Sequence, residues 1–443
     1  MRTLQTGHMR NTADRPSPPA FSEALGYWFK LGCIGFGGPA GQIALMHAEL
    51  VERRRWISER RFLHALNYCM LLPGPEAQQL AIYLGWLLHR TRGGVAAGVL
   101  FVLPSLLLLI ALSWAYLAWS DVAAVRGVTD GLKPAVVAIV LAAALRIGHR
   151  VLRGAWPWAV AILAFVAIFL LAIPFPWIIF GAAAIGLAVS HWRPAAFSQG
   201  ATHASTSSSY GAAVIDDDTP IPAHAHFRWR RLALVLLVCA ALWLLAIFAV
   251  PDPLLRQMAL FFSKVALLTF GGAYAVLPYV NDVAVSAGWL SQPQMIDGLA
   301  LGETTPGPLI MVVASVGFVG AWNGAVFGQD ALALAGITGA VVATFFTFLP
   351  SFAFVLVGAP LIEKTQHDVR FTAPLAAINA AVVGVIANLG VVFAQHVFRP
   401  GGALDIEAVI IAALAALALY RQWLGVVPTL LACAAYGALR ALL

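Results

Sequence analysis

Apolar positions in this chain run in long unbroken stretches and do not alternate with polar ones. Such stretches cover Val95–Trp119, Pro134–Gly148, Trp156–Ile173, Trp177–Ser190, Leu232–Val250, Gly336–Gly358, Ala376–Phe393, Ala408–Tyr420 and Val426–Leu443. A helix needs about 20 apolar residues to cross hydrocarbon upright, and shorter ones rely on flanking residues or local thinning. The nine runs therefore predict transmembrane helices. Trp114, Trp119, Trp156, Trp158, Trp177 and Trp192 stand near their ends, where interfacial aromatics collect.

Composition leads to the same class. Of 443 residues, 61% are apolar and 11% charged, against roughly 45–50% and about 25% in soluble domains. So few charges cannot cover a water-soluble globule of this length. The fold class expected is an all-α polytopic membrane protein. Net charge is +7, from 27 Lys+Arg and 20 Asp+Glu. In such a chain basic residues mark cytoplasmic loops first, and no nucleic-acid partner is expected. Cys33, Cys69, Cys239 and Cys433 lie far apart in apolar stretches and read as buried thiols.

Two polar segments interrupt the pattern. Residues 1–20 form a polar tail without the apolar core of a signal peptide. Residues 193–231 contain STSSS and Asp216–Asp218 and read as a flexible cytoplasmic linker. Its His203, His224 and His226 read as solvated side chains in preference to metal ligands. The sequence contains no G-x-x-x-x-G-K-[ST], H-E-x-x-H or G-x-S-x-G motif and no haem signature. No cofactor, metal or enzymatic activity is expected.

An internal repeat changes the picture most. Phe36-Gly37-Gly38 recurs as Phe270-Gly271-Gly272, and Lys30 as Lys264, at an offset of 234. Trp56 recurs as Trp289, and Pro73-Gly74-Pro75 as Pro306-Gly307-Pro308, at 233. Leu103-Pro104-Ser105 recurs as Leu349-Pro350-Ser351 at 246. The expected organisation is a first membrane repeat at 21–192, the linker, a connecting helix at 232–254 and a second repeat at 255–443.

Charge orients the two copies. Between FGG and PGP the first repeat reads Val51-ERRRWISERR, with five arginines, whereas Tyr279 to Gln294 carries only Asp282. The positive-inside rule puts the first segment in the cytoplasm and the second outside, so the repeats are inverted. Residues 62–88 have arginines on both flanks, at Arg60, Arg61, Arg90 and Arg92. A hairpin of two half-helices turning at Pro73-Gly74-Pro75 keeps both clusters inside, and Pro306-Gly307-Pro308 is the matching tip. Broken backbone at that depth needs protein or a water-filled cavity around it. Nine crossings and four re-entrant hairpins follow, with the N-terminus inside and the C-terminus outside. The rival count is thirteen crossings, which misplaces one arginine cluster.

Candidate chemistry sits on these motifs. Lys30 and Lys264 are cations at membrane depth, costly unless they face a cavity or partner, or else snorkel to an interface. Converging beside glycine-rich half-helix ends, they would form an anion site with backbone N–H groups at Gly37, Gly38, Gly271 and Gly272. Thr304 and Thr305 either donate to the same oxyanion or bond back to their own helix. Glu303 and Glu76 occupy non-equivalent positions; Glu303 is the better proton-coupling candidate, and Glu76 reads equally as a charge at a helix N-terminus. His64, Asn67, Gln42, Gln78 and Gln79 could line the cavity or lie exposed.

The segments Phe36-Gly-Gly-Pro-Ala-Gly-Gln42, Leu71-Leu-Pro-Gly-Pro-Glu76, Thr269-Phe-Gly-Gly-Ala-Tyr274 and Glu303-Thr-Thr-Pro-Gly-Pro308 resemble the chromate ion transporter family. The resemblance covers nearly the whole chain outside the tail and linker. It implies a two-domain carrier in the bacterial inner membrane that extrudes chromate, with sulfate as a structural analogue. Chromate export driven by membrane potential is the expected function, with proton exchange as a further coupling and a homodimer as a compatible assembly. A carrier for sulfate or another oxyanion, and a membrane sensor without flux, are the competing expectations.

Overall fold

The computed structural model describes residues 15–36, 38–192, 210–217, 219, 228–250, 252–270, 272–362 and 372–443. The first part comprises α1 (Phe21–Ile34), α2 (Gly38–His47), α3 (Glu59–Cys69), α4 (Glu76–Ala118), α5 (Ala123–Val151), α6 (Ala155–Phe169) and α7 (Phe175–Trp192). After α8 (Trp229–Ala249) come α9 (Pro253–Leu268), α10 (Leu277–Ser286), α11 (Gln292–Thr304), α12 (Val312–Asn323), α13 (Leu332–Ile362), α14 (Thr372–Phe398), α15 (Ile406–Tyr420) and α16 (Val426–Leu442). Among the described residues six helices are long and apolar enough to cross a membrane: α4, α5, α7, α8, α13 and α14, while α6, α12, α15 and α16 are apolar but shorter. Large apolar side chains such as Trp177, Leu170, Phe248 and Leu414 cover the outside. This is the surface of an all-α polytopic membrane protein, whose solvent is lipid.

The 43-residue α4 is two helices. His89 and Arg90 leave helical geometry, Arg90 at φ +59. A Cβ on Gly93 would lie 2.1 Å from the Gly85 carbonyl oxygen, although eight residues of straight helix span about 12 Å. The chain therefore folds back, and α4a (76–88) packs antiparallel to α4b (91–118). With α3, α4a makes a descending and ascending pair whose ends both approach the arginine-flanked side. The second part repeats the arrangement, with Gly317 of α12 against Gly339 of α13 at the same close range.

The two parts exchange their last helices. The long helix α5 packs against α14, α15 and α16, while α14 packs against α5, α6 and α7. Small residues allow the contact: Gly437 of α16 lies on Gly127 and Gly131, and Gly186 of α7 lies on Ala373 and Ala377. Positions 127 and 131 differ from 373 and 377 by the 246 seen in the repeat. Close backbone approach of this kind replaces the hydrophobic effect as the force between helices in lipid. By contrast α8 buries little, packs on α9 and α13, and is tied by Trp243 Nε1 donating to Ser263 Oγ at 2.8 Å. It has no counterpart in the first part.

Three expectations need correction. α5 begins eleven residues before Pro134, because Lys133 is neutralised by Asp130 one turn away (2.8 Å), so the charged turn stays helical. Of the four cysteines Cys69 is buried, whereas Cys33, Cys239 and Cys433 are half-buried.

The linker is not free throughout its length. Val214 and Ile215 donate backbone N–H bonds to Arg55 O (2.9 Å) and Trp56 O (3.0 Å), and Ser58 N–H donates to Ile215 O (3.0 Å). Ser58 Oγ donates to Asp217 Oδ1 at 2.6 Å, and Arg61 Nη2 to Thr219 O at 2.8 Å. Residues 55–58 connect two helices, with Arg55 at φ +51, and the acidic segment supplies partners for their backbone groups and opposite charge. Beside it Arg54 bonds Glu49 and Glu23 (both 2.7 Å) and stacks over Trp56 at 4.9 Å. The Arg54 guanidinium holds the Glu49 carboxyl below its usual range. His203, His224, His226 and Asp218 lie outside the described residues.

Candidate transport site

Both PGP turns take backbone that only glycine adopts readily: Gly74 has φ +125 and Gly307 φ +105. Neither proline flanking the glycine has an N–H, so the glycine supplies the only donor of the tip. Gly74 N–H donates to Thr269 O at 2.7 Å, and Gly307 N–H donates to Gly35 O at 3.0 Å. Each acceptor is the residue immediately before the FGG motif of the other part. The two hairpins are thus joined by a crossed, matched pair of bonds. Each tip also abuts the serine of the opposite LPS motif: a Cβ on Gly74 would stand 2.6 Å from Ser351 Oγ, and one on Gly307 2.8 Å from Ser105 Cβ. Pro73, Pro75, Pro306 and Pro308 complete the tips.

Gln42 pins this junction. Its Nε2 donates to Gly35 O at 2.8 Å and to Gly307 O at 2.5 Å. Gln79 Nε2 donates to Pro73 O at 2.7 Å. Gln42, Gln78, Gln79 and Ser105 are 0% exposed and Ser351 1%. Six of their side-chain atoms nevertheless lack a partner: Gln42 Oε1, both amide atoms of Gln78, Gln79 Oε1, Ser105 Oγ and Ser351 Oγ. Buried polar atoms are normally bonded, and leaving one unpaired costs about 1–3 kcal/mol. Such a concentration beside broken helices leaves donors and acceptors open to a polar ligand or to water. Gln78 Nε2 and the two hydroxyls are free donors suited to an oxyanion.

Acidic residues flank the tips. The Glu303 carboxylate accepts from Tyr274 O–H at 2.6 Å, joining the FGG and PGP segments of the second part. Glu76 is the first residue of α4, against the positive end of the helix. Arg146 acts electrostatically on Glu303, and Arg150 on Glu76. Sequence reasoning singled out neither arginine; their i, i+4 spacing on α5 was the signal for a shared face.

The remaining expected residues divide. Lys30 and Lys264 are exposed, at matching places on α1 and α9, five residues before Gly35 and Thr269. They stand outside the buried cluster. Gly38 (φ +73) and Gly272 (φ +98) open the short helices after the FGG motifs, with clear space beside each Cα. Gly37 and Gly271 lie outside the described residues. Thr304 and Thr305 donate to Leu301 O and Gly302 O (both 2.8 Å), so their hydroxyl protons are engaged on their own helix. His64 is half-buried with Nε2 unpartnered, and Asn67 is exposed.

Comparison with known proteins agrees with this doubled architecture. The chromate transporter family model matches twice, over residues 23–187 and 256–438. A chromate transport protein of Pseudomonas aeruginosa is 33% identical over 95% of this chain and 93% of its own. One from Cupriavidus metallidurans is 29% identical over 84% of this chain and 82% of its own. An uncharacterised transporter of Bacillus subtilis is 32% identical over 32% of this chain and 71% of its own. No solved structure matches the chain. Two copies of the family's sequence pattern, each supplying one tip of the crossed junction, make this chain a member of the chromate transporter family.

Proposed function

We propose that this protein is a secondary carrier that moves chromate out of the cell across the bacterial inner membrane. Its repeats are inverted, and the four hairpins re-enter so that their tips meet near the membrane midplane. The observation that carries this reading is the crossed pair of tip bonds surrounded by unpartnered donors. Chromate would sit there on Gln78 Nε2, Ser105 and Ser351 hydroxyls, and the N–H groups at the FGG turns. Lys30 and Lys264, about 7 Å along their helices from the tips at 1.5 Å per residue, would raise anion concentration at the two mouths.

The topology is supported by how charges sort. Arg53, Arg54, Arg55, Arg60 and Arg61 gather with the linker at one side, and His89 beside Arg90 bonds Pro19 O of the N-terminal tail at 3.0 Å. Arg126, Lys133 and Arg440, which this topology puts outside, line one common cavity. The inside-negative potential then drives a dianion outward, at about 4.6 kcal/mol per 100 mV. Glu303 with Tyr274 would carry protons at the tips.

Everted membrane vesicles separate the possibilities. Chromate and sulfate flux are measured with potential and pH gradient imposed independently. Lys30→Gln, Lys264→Gln and Gln78→Leu are expected to cut chromate flux at least tenfold at equal expression. Sulfate flux without chromate flux would make sulfate the cargo, and absence of both would overturn the carrier reading.

A further inference from the structure

α11 holds a second carboxylate, six residues before Glu303, that the reading above leaves unused. Asp297 is 4% exposed. Its Oδ2 accepts from Tyr116 O–H of α4b at 2.9 Å, and its Oδ1 has no partner. One turn before Tyr116, Ser113 Oγ donates to Ser315 Oγ of α12 at 3.2 Å, so α4b and α12 meet beside α11. An ionised carboxylate with a single hydrogen bond at this depth is costly, and a bound proton relieves the cost.

A route to water lies beside it. A cavity of about 620 Å³ between α5, α15 and α16 includes Pro293 and Ile296 of α11 in its wall, together with Asp130, Lys133 and Arg440. Lys133 Nζ bonds Asp130, whose side chain is 63% exposed, while also acting on Asp297. The lysine is bonded to the exposed carboxylate and acts on the buried one only through its field. Of the other elements packed on α11, α12 carries no ionisable group; α10 carries Tyr279 and Asp282, α14 His396, and α16 Cys433, Tyr436 and Arg440. The groups acting on Asp297 are Tyr116, Lys133 and Asp130. The equivalent position in the first repeat, 233 residues earlier, is His64, whose Nε2 is also buried without a partner.

We propose that Asp297 is a proton-carrying group of the transport cycle, exchanging protons with the cavity past Lys133. The proposal rests on the carrier reading. A proton from cavity water binds Oδ1, the aspartate becomes neutral, and Lys133 stays on Asp130 as the structure shows. When the proton leaves, Lys133 moves onto the ionised Asp297. Asp297 lies about 9 Å along α11 from Glu303 at 1.5 Å per residue, so the helix bears two tyrosine-bonded carboxyls between cavity and tips. Protons would move inward as chromate moves outward.

The test uses the full chain in liposomes loaded with a pH indicator. Two rates are read: proton influx coupled to chromate efflux, and chromate–chromate exchange, which moves no net proton. Asp297→Asn is expected to lower coupled proton influx at least tenfold while exchange continues. Tyr116→Phe removes the carboxylate's one hydrogen bond and should shift the pH profile of net efflux without stopping exchange; it stands in if Asp297→Asn does not assemble. Wild-type coupling in Asp297→Asn, or an unshifted profile in Tyr116→Phe, overturns the proposal. Absence of wild-type exchange would instead overturn the carrier reading.

Discussion

Gly74→Ala tests the crossed junction directly. At φ +125 a side chain is strained by about 1–3 kcal/mol. The new Cβ would also lie 2.6 Å from Ser351 Oγ and Gln79 Nε2, and overpacking of that kind costs about 1–3 kcal/mol. If the tip withdraws to relieve both, Gly74 N–H leaves Thr269 O, whose buried carbonyl then costs about 1–3 kcal/mol. The tip takes the cheaper course and loses about 1–3 kcal/mol, and even the lower figure shifts an equilibrium between joined and parted tips roughly fivefold. The assay is chromate flux in vesicles beside the thermal midpoint of purified protein. Both should fall. Gly307→Ala, at φ +105 and against Ser105, should match it because the junction is symmetric. Ser351→Gly added to Gly74→Ala should restore part of the thermal midpoint by removing one clash, while flux stays low for want of the Ser351 hydroxyl. Wild-type flux and midpoint in Gly74→Ala, or a harmless Gly307→Ala, would refute the reasoning.

Other consequences are as direct. Gly437→Ala drives a methyl into the Gly127 carbonyl and should lower the thermal midpoint, by about 1–3 kcal/mol of stability, whereas Gly181→Ala meets no atom within 4 Å and should be neutral. Val214→Pro removes the N–H bonded to Arg55 O and should expose residues 210–217 to protease that spares the wild type. Glu49, whose ordinary value is 4.5, is held lower by Arg54, so its contribution to the 48–56 loop is present above that value and lost as pH falls through the lowered one. Hydrogen exchange there, corrected for intrinsic rates, should be flat from about pH 7 to 5 and rise below, earlier in Arg54→Gln.

Duplication was legible because it is written in spacing: FGG, PGP and LPS recur in order, and the family model matches the chain twice. The partners of those motifs were not. That Gly74 meets Thr269 and Ser351, residues some 200 or more positions away, is fixed by folding and leaves no local pattern. Lys133 hid the start of α5, since a hydropathy count cannot see that Asp130 pairs with it. Asp297 escaped notice because it is one acid in a mildly polar segment, and its importance comes from burial beside Tyr116. The docking of residues 210–217 was invisible for the opposite reason: a stretch of Ala, Gly and Asp reads as a solvated linker until a backbone edge is found to receive it.

The exchange of last helices has a consequence for how such a protein is made. A single half, synthesised alone, would present the Gly127–Gly131 face of α5 and a PGP donor with nothing to meet them. It would need a second half inserted upside down in the same bilayer, and would depend on chance encounter to find one. Under the proposed topology the first half crosses four times and returns the chain to the side it started from. One further crossing by α8 then delivers the second half already inverted. Under that topology this sparsely packed helix would set the orientation in which the second half enters the bilayer.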